Sequence, residues 1–134
     1  MKGYLINVRE GTAGVCEITG ADGQETKGSL QDYYRLIGCR CVDIASRSIG
    51  GKYFDLVVDD EGLYGDNATV SAVDGDGEPM LVGNIVIVNC PNDESDGYMR
   101  GLEDEDIALI KKHVRSALVP ADGRAIKVLV GCEY

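Results

Sequence analysis

The chain has 134 residues, a net charge of −10, 44% apolar residues, seven tyrosines, one phenylalanine and no tryptophan. That length suits one domain over 1–134 with a real core. No apolar run reaches the roughly 18–20 residues of a membrane span, and the start, with a lone Lys2 and no long apolar stretch, is unlike a signal peptide.

Five cysteines at irregular spacing, no C-x-x-C, and His113 as the only histidine argue against a zinc site and a disulfide framework. Reduced thiols in a cytoplasm are the expectation. The charge is uneven. Residues 53–106 hold fifteen acids and one base, Arg100, whereas residues 1–52 hold seven bases and six acids. So acidic a middle should repel nucleic acid, because phosphate binding needs clustered Lys and Arg. It could instead engage a basic surface.

In chain order, Lys2 to Arg9 reads as a strand with Tyr4, Ile6 and Val8 on one face, followed by a turn at Glu10-Gly11-Thr12 and a second strand from Ala13 to Thr19. Ser29 is an N-cap for a helix whose Leu30, Tyr33, Tyr34 and Ile37 fall on one face, and Gly38 ends it. Cys39 to Leu63 reads as two long alternating strands. A three-residue loop, Gly50-Gly51-Lys52, would pair Ile49 with Tyr53, Arg47 with Asp55 and Asp43 with Asp59. It would set Val42 and Ile44 on the same face as Phe54, Leu56 and Val58.

A short strand follows at Thr69 to Val73. Asp74-Gly75-Asp76-Gly77-Glu78 reads as a polar turn, because position 83 is Gly where a calcium loop needs its bidentate Glu. Met80 to Cys90 is apolar enough for a central strand covered on both faces, with Gly83-Asn84 marking a bulge. Pro91 to Gly101 is a polar loop of eleven residues, long enough to serve as a binding loop. A second helix is expected from about Glu103 to Val119, acidic in its first turn and basic later, with Ile107, Ile110, Val114 and Leu118 as its core face and Pro120 as its stop. Ala125 to Cys132 is a last strand. Together these predict an α+β fold: a single, mostly antiparallel sheet of about six or seven strands with two packed helices. Exposed sheet edges leave room for a homo-oligomer.

The usual catalytic motifs are absent. There is no phosphate-binding glycine loop and no nucleophile elbow. His113 reads as a solvated helix residue. No cofactor and no catalytic residue are expected. One hypothesis is capture of a small nucleotide: Arg40, Arg47 and Lys52 supply cations suited to phosphate, and Tyr33, Tyr34 and Tyr53 supply rings for a base to stack on. A second gives the carboxylates Asp43, Asp59, Asp60 and Glu61 a hard cation such as Mg²⁺, for phosphodiester chemistry. The bland readings are a solvated acidic face and an Arg47–Asp55 pair across the hairpin.

The segments around Tyr33-Tyr34, Val42 to Ile44, Ile49 to Tyr53, Asp59 to Leu63 and Pro79 to Asn84 resemble a family of small uncharacterised proteins found in phages, plasmids and integrative elements of Gram-positive bacteria. The resemblance spans about residues 30–90 and leaves the terminal strands outside. It carries no activity and no site residue. It does imply a setting in which accessory proteins counter host defence. There the chain would sequester a nucleotide signal, or act as an acidic mimic of DNA that binds a host nuclease.

Overall fold

The computed structural model describes residues 1–18, 30–61, 69–90, 100–119 and 123–134. Among them are β1 (Lys2–Asn7), β2 (Thr12–Glu17), α1 (Leu30–Ile37), β3 (Val42–Ile49), β4 (Lys52–Asp59), β5 (Val70–Val73), β6 (Pro79–Val82), β7 (Ile85–Asn89), α2 (Asp104–Lys112), β8 (Val114–Leu118), β9 (Ala125–Leu129) and β10 (Cys132–Glu133). The class is α+β with two helices and almost wholly antiparallel pairing. The expected single sheet is in fact two. A six-stranded sheet has the order β10-β3-β4-β7-β1-β2, and a four-stranded sheet has the order β6-β5-β9-β8. Among the described residues the one parallel contact joins β5 to β9 at Ala72 and Leu129.

The hairpin sets the layering. Gly50 and Gly51, at φ 60° and 88°, form a two-residue turn, and Lys52 is already in β4, opposite Ile49. Two consecutive positive-φ residues twist the way hairpin strands twist, and glycine carries them without a Cβ penalty. This overturns the three-residue loop. Arg47 lies across from Phe54 and Asp43 across from Val58. Val42 and Phe54 therefore point to opposite faces of the sheet.

The longer loop is the expectation because it sets Val42 and Ile44 on the face of Phe54, Leu56 and Val58. In the structure both faces are buried. On one, Ile49, Phe54, Leu56, Ile85, Ile87, Tyr4 and Ile6 pack against Ala72, Ile126 and Leu129 of the small sheet and against Ile107 and Ile110 of α2. On the other, Val57, Val86 and Val88 pack against Tyr33 and Ile37 of α1, with Val42 at the margin. Each fully buried side chain contributes about 1.5–3 kcal/mol. Val57 and Phe54 lie on opposite faces of β4 in any register. With both faces covered, Val42 gains cover beside Val57 on the helix side without having to share the face of Phe54. β7, between β4 and β1, is buried at all five positions, as a central strand covered on both faces should be.

Three other expectations change for related reasons. The single strand Met80–Cys90 breaks at Gly83 (φ 77°), so that β6 joins the small sheet and β7 the large one. The second helix stops at Lys112. Val114–Leu118 pairs with β9 as β8, leaving Leu118 69% exposed where a core position was expected. Val130 N–H donates to the His113 carbonyl at 2.7 Å and ties the helix end to the small sheet. The last strand divides at Gly131 (φ 69°) into β9 and β10. Ser29 and most of the Pro91–Gly101 loop lie outside the described residues. No helix among the described residues is long and apolar enough to cross a membrane.

Candidate functional site

The end of the β3–β4 hairpin away from its glycine turn meets β6, and a half-open cleft of about 280 Å³ lies between them. Val58, Pro79, Met80, Leu81 and Val82 give it apolar walls, and Asp43, Asp59 and Asp60 supply carboxylates. The turn after β4 fixes the acids. Asp59 Oδ1 accepts the Glu61 N–H at 2.9 Å, an Asx turn, while Asp60 N–H donates to the Cys41 carbonyl at 3.1 Å. Asp43 Oδ1 accepts the Ile44 N–H at 2.8 Å. The two-residue turn offsets Asp43 from Asp59 by one pair, so the expected like-charge opposition is relieved. None of the three carboxylates has a cationic partner among the described residues.

Three of the four acids expected to cluster thus share one cleft. Glu61 is exposed beyond it and is not among its lining residues. Among the described residues, no group of three or more His, Cys, Asp or Glu is arranged to hold a metal ion. The apolar wall from β6 escaped the sequence reading, because Met80–Val82 looked like part of a central strand.

The six residues expected around a nucleotide do not converge. Tyr33 is buried between α1 and the large sheet, 2% exposed, and its hydroxyl has no hydrogen-bond partner among the described residues. Burial, then Cys16, Asp32 and Asp55, push its pKa well up. Tyr34 is half-buried on the same helix. Arg40 is exposed just ahead of β3. Arg47 and Lys52 face the sandwich side of the hairpin, and Tyr53 faces the other. Arg47 stacks on the Tyr134 ring with its guanidinium carbon 4.5 Å from the centroid, and its Nη1 donates to the Ser46 carbonyl at 2.9 Å. The expected Arg47–Asp55 pair does not form, since Asp55 instead accepts the Ser46 hydroxyl at 2.8 Å. Tyr53, 55% exposed, donates its hydroxyl to the Tyr134 carbonyl at 3.1 Å.

Lys52 is committed elsewhere. Its ammonium bonds Asp106 in the first turn of α2, a carboxylate only 2% exposed. Asp106 Oδ2 also accepts the Asn89 side-chain amide and the Glu103 N–H, both at 2.9 Å. Burial alone would raise this carboxyl, but the Lys52, Asn89 and Glu103 donors outweigh it and hold it below the usual carboxylate range. In the sequence Asp106 looked like one of four interchangeable acids, and Asn89 like the end of an apolar run. Only the fold brings them together, and together they clamp α2 to the sheet.

Comparison with known proteins returns one family. The model described as "Domain of unknown function (DUF3846)" matches residues 1–115. No curated protein and no solved structure matches the chain. The match is wider than the resemblance at 30–90. It takes in β1, β2 and α2 and leaves β9 and β10 beyond its end. With so much of its length covered, the chain belongs to the DUF3846 family.

Proposed function

We propose that the protein is a non-catalytic binding protein whose acidic cleft receives a basic segment of a protein partner. The observation that carries this reading is the cleft itself: Asp43, Asp59 and Asp60, without cationic partners among the described residues, beside walls made of Val58 and Pro79 to Val82. A lysine or arginine side chain has the matching form, an apolar stem with a charged head. A net charge of −10 would add long-range attraction to a basic partner and speed its encounter.

The biological setting rests on the resemblance alone. An accessory protein of a phage or mobile element, acting in the host cytoplasm, would use such a surface to occupy the DNA-binding face of a host nuclease. Capture of a nucleotide signal has weaker support, because Arg47, Lys52, Tyr33 and Tyr53 are engaged in separate places. Phosphodiesterase activity has weaker support still, because the cleft acids form no cation-ligating group among the described residues.

The test is titration with a capped octapeptide alternating lysine and valine. Binding should weaken steeply as salt rises from about 0.05 to 0.3 M, as the Debye length shortens. It should fall at least tenfold in an Asp59→Asn/Asp60→Asn double variant. Absence of binding, or equal binding by the double variant, overturns the reading.

A further inference from the structure

The cleft lies beside an open sheet edge. β10 pairs with β3 only at Ser48 and Ile49, so from Val42 to Arg47 no described strand covers β3 on that side. Hairpin geometry says which groups this leaves free. In a two-residue hairpin the pair flanking the turn, Ile49 and Lys52, is hydrogen-bonded, and bonding alternates from there. Asp43, Ala45 and Arg47 therefore spend their backbone groups on β4. Val42, Ile44 and Ser46 turn theirs outward.

Two of these outward groups are met by the strand's own charged side chains. Asp43 Oδ1 takes the Ile44 N–H, and Arg47 Nη1 donates to the Ser46 carbonyl. A charged side chain folded onto an edge amide is one way a sheet avoids pairing with its neighbours. It is also a reversible cover. Asp43, Ile44 and Ser46 are exposed, so among the described residues nothing else lies across the edge.

We infer that the partner segment binds as an added antiparallel or parallel strand along Val42–Ser46 of β3, displacing the Asp43 and Arg47 side chains from the Ile44 N–H and the Ser46 carbonyl. This rests on the acidic-cleft reading and adds its mode. Backbone pairing supplies affinity without regard to sequence, and alternate side chains supply selectivity. One row of the incoming strand faces the side that Asp43 and Val58 share at the cleft, and favours lysine or arginine. The other row faces the side of Ile44, 47% exposed, and Ser46, and favours an apolar or small residue. Release of Asp43 from the Ile44 N–H at the same moment frees its carboxylate for the incoming cation. The occupant is therefore an extended basic segment in which cationic residues alternate with apolar or small ones.

The test uses the lysine–valine octapeptide and two versions of it, one N-methylated at every lysine and one at every valine. Methylation in one frame removes every donor facing β3, and in the other frame only donors facing solvent. Strand addition predicts that one version binds at least tenfold more weakly and the other does not. It also predicts that the Ile44 amide gains protection from hydrogen exchange at least tenfold on binding the parent peptide. Ile44→Pro, which removes only an outward donor at an edge that tolerates proline, should bind the parent peptide at least tenfold more weakly. If that variant fails to fold, the methylated peptides and the exchange measurement decide. Equal binding of all three peptides, still lost in Asp59→Asn/Asp60→Asn, overturns strand addition and leaves the acidic cleft standing. No binding of any peptide overturns both.

Discussion

The Lys52 ammonium bonds the Asp106 carboxylate across the gap between β4 and the first turn of α2. The two ends differ in exposure: the Lys52 side chain is 44% exposed and Asp106 only 2%. That asymmetry sets what each residue contributes. Asp106 also receives Asn89 and the Glu103 N–H. Asp106→Ala would strand buried donors and should destabilise by about 2–4 kcal/mol. Lys52→Met removes a cation that water partly replaces, and should cost about 1–2 kcal/mol, after discount for solvent screening. Urea denaturation of the two variants checks the order. Equal costs would contradict the clamp as described.

The same carboxylate makes stability depend on pH. Its folded pKa lies below the ordinary value, so the unfolded chain binds its proton first as pH falls. The stabilisation is complete above the unfolded value of about 3.9 and is lost as pH drops through the lower folded value. The difference in stability between the natural chain and Asp106→Asn should therefore be constant from about pH 8 to 5 and shrink below pH 4. A difference that grew on acidification would have the wrong sign for this mechanism.

The hairpin turn gives a sharper contrast, because its two glycines meet different surroundings. A Cβ on Gly50 would lie 2.7 Å from Leu109 Cδ1 and 3.0 Å from His113 Cε1, whereas one on Gly51 meets nothing within 4 Å. Both sit at positive φ, which costs an ordinary L residue about 1 kcal/mol. Gly51→Asn should cost under about 1 kcal/mol, since asparagine tolerates this conformation. Gly50→Ala adds a clash with α2 to the backbone penalty and should cost about 2–3 kcal/mol. Thermal unfolding separates them, at about 3–5 °C per kcal/mol for a chain of this size.

These residues also show how far the sequence could be read. α1 was legible from Tyr33, Ile37 and Gly38, because a helix announces itself locally through one apolar stripe and a glycine stop. The two strands of the hairpin were legible from period-two alternation, but their register was not. Alternation gives the period, and only knowledge that both faces are covered gives the phase. β8 failed for the opposite reason. Val114 and Leu118 fit the stripe of the preceding helix, and pairing with β9 overrode that local preference. Of the site, the acids were visible as a charge run. The apolar wall and the open edge depend on which sheet β6 joins and how little of β3 β10 covers.

Tyr33 tests the helix-side core. Its ring is among the largest fully buried groups, so Tyr33→Ala should cost about 3–5 kcal/mol. Its hydroxyl is buried without a partner among the described residues, and such a group carries a desolvation cost with no bond to offset it. Tyr33→Phe should therefore be neutral or stabilising by up to about 1 kcal/mol. A loss of more than about 1 kcal/mol would mean that the hydroxyl has a bonding partner in solution.

Thiol reactivity probes β10, the strand that leaves most of the β3 edge open. Burial pushes the Cys132 thiol up to about 11, and the residue is 0% exposed. Cys16 and Cys90 are likewise pushed up to about 11 by burial, with Asp55 adding to the effect at Cys90. At pH 8 a thiol of that kind is thiolate only about one part in a thousand, against roughly a quarter for an ordinary one. Cys41 is exposed. Under native conditions a maleimide or disulfide reagent should modify Cys41 first. Cys132 should follow only at the rate at which β10 detaches, and both should react together once the chain is unfolded in denaturant. Mass spectrometry of the partially labelled protein reads the order. Labelling of Cys132 as fast as Cys41 in the folded state would show that β10 does not stay on the sheet, and would extend the open edge of β3 to Ile49.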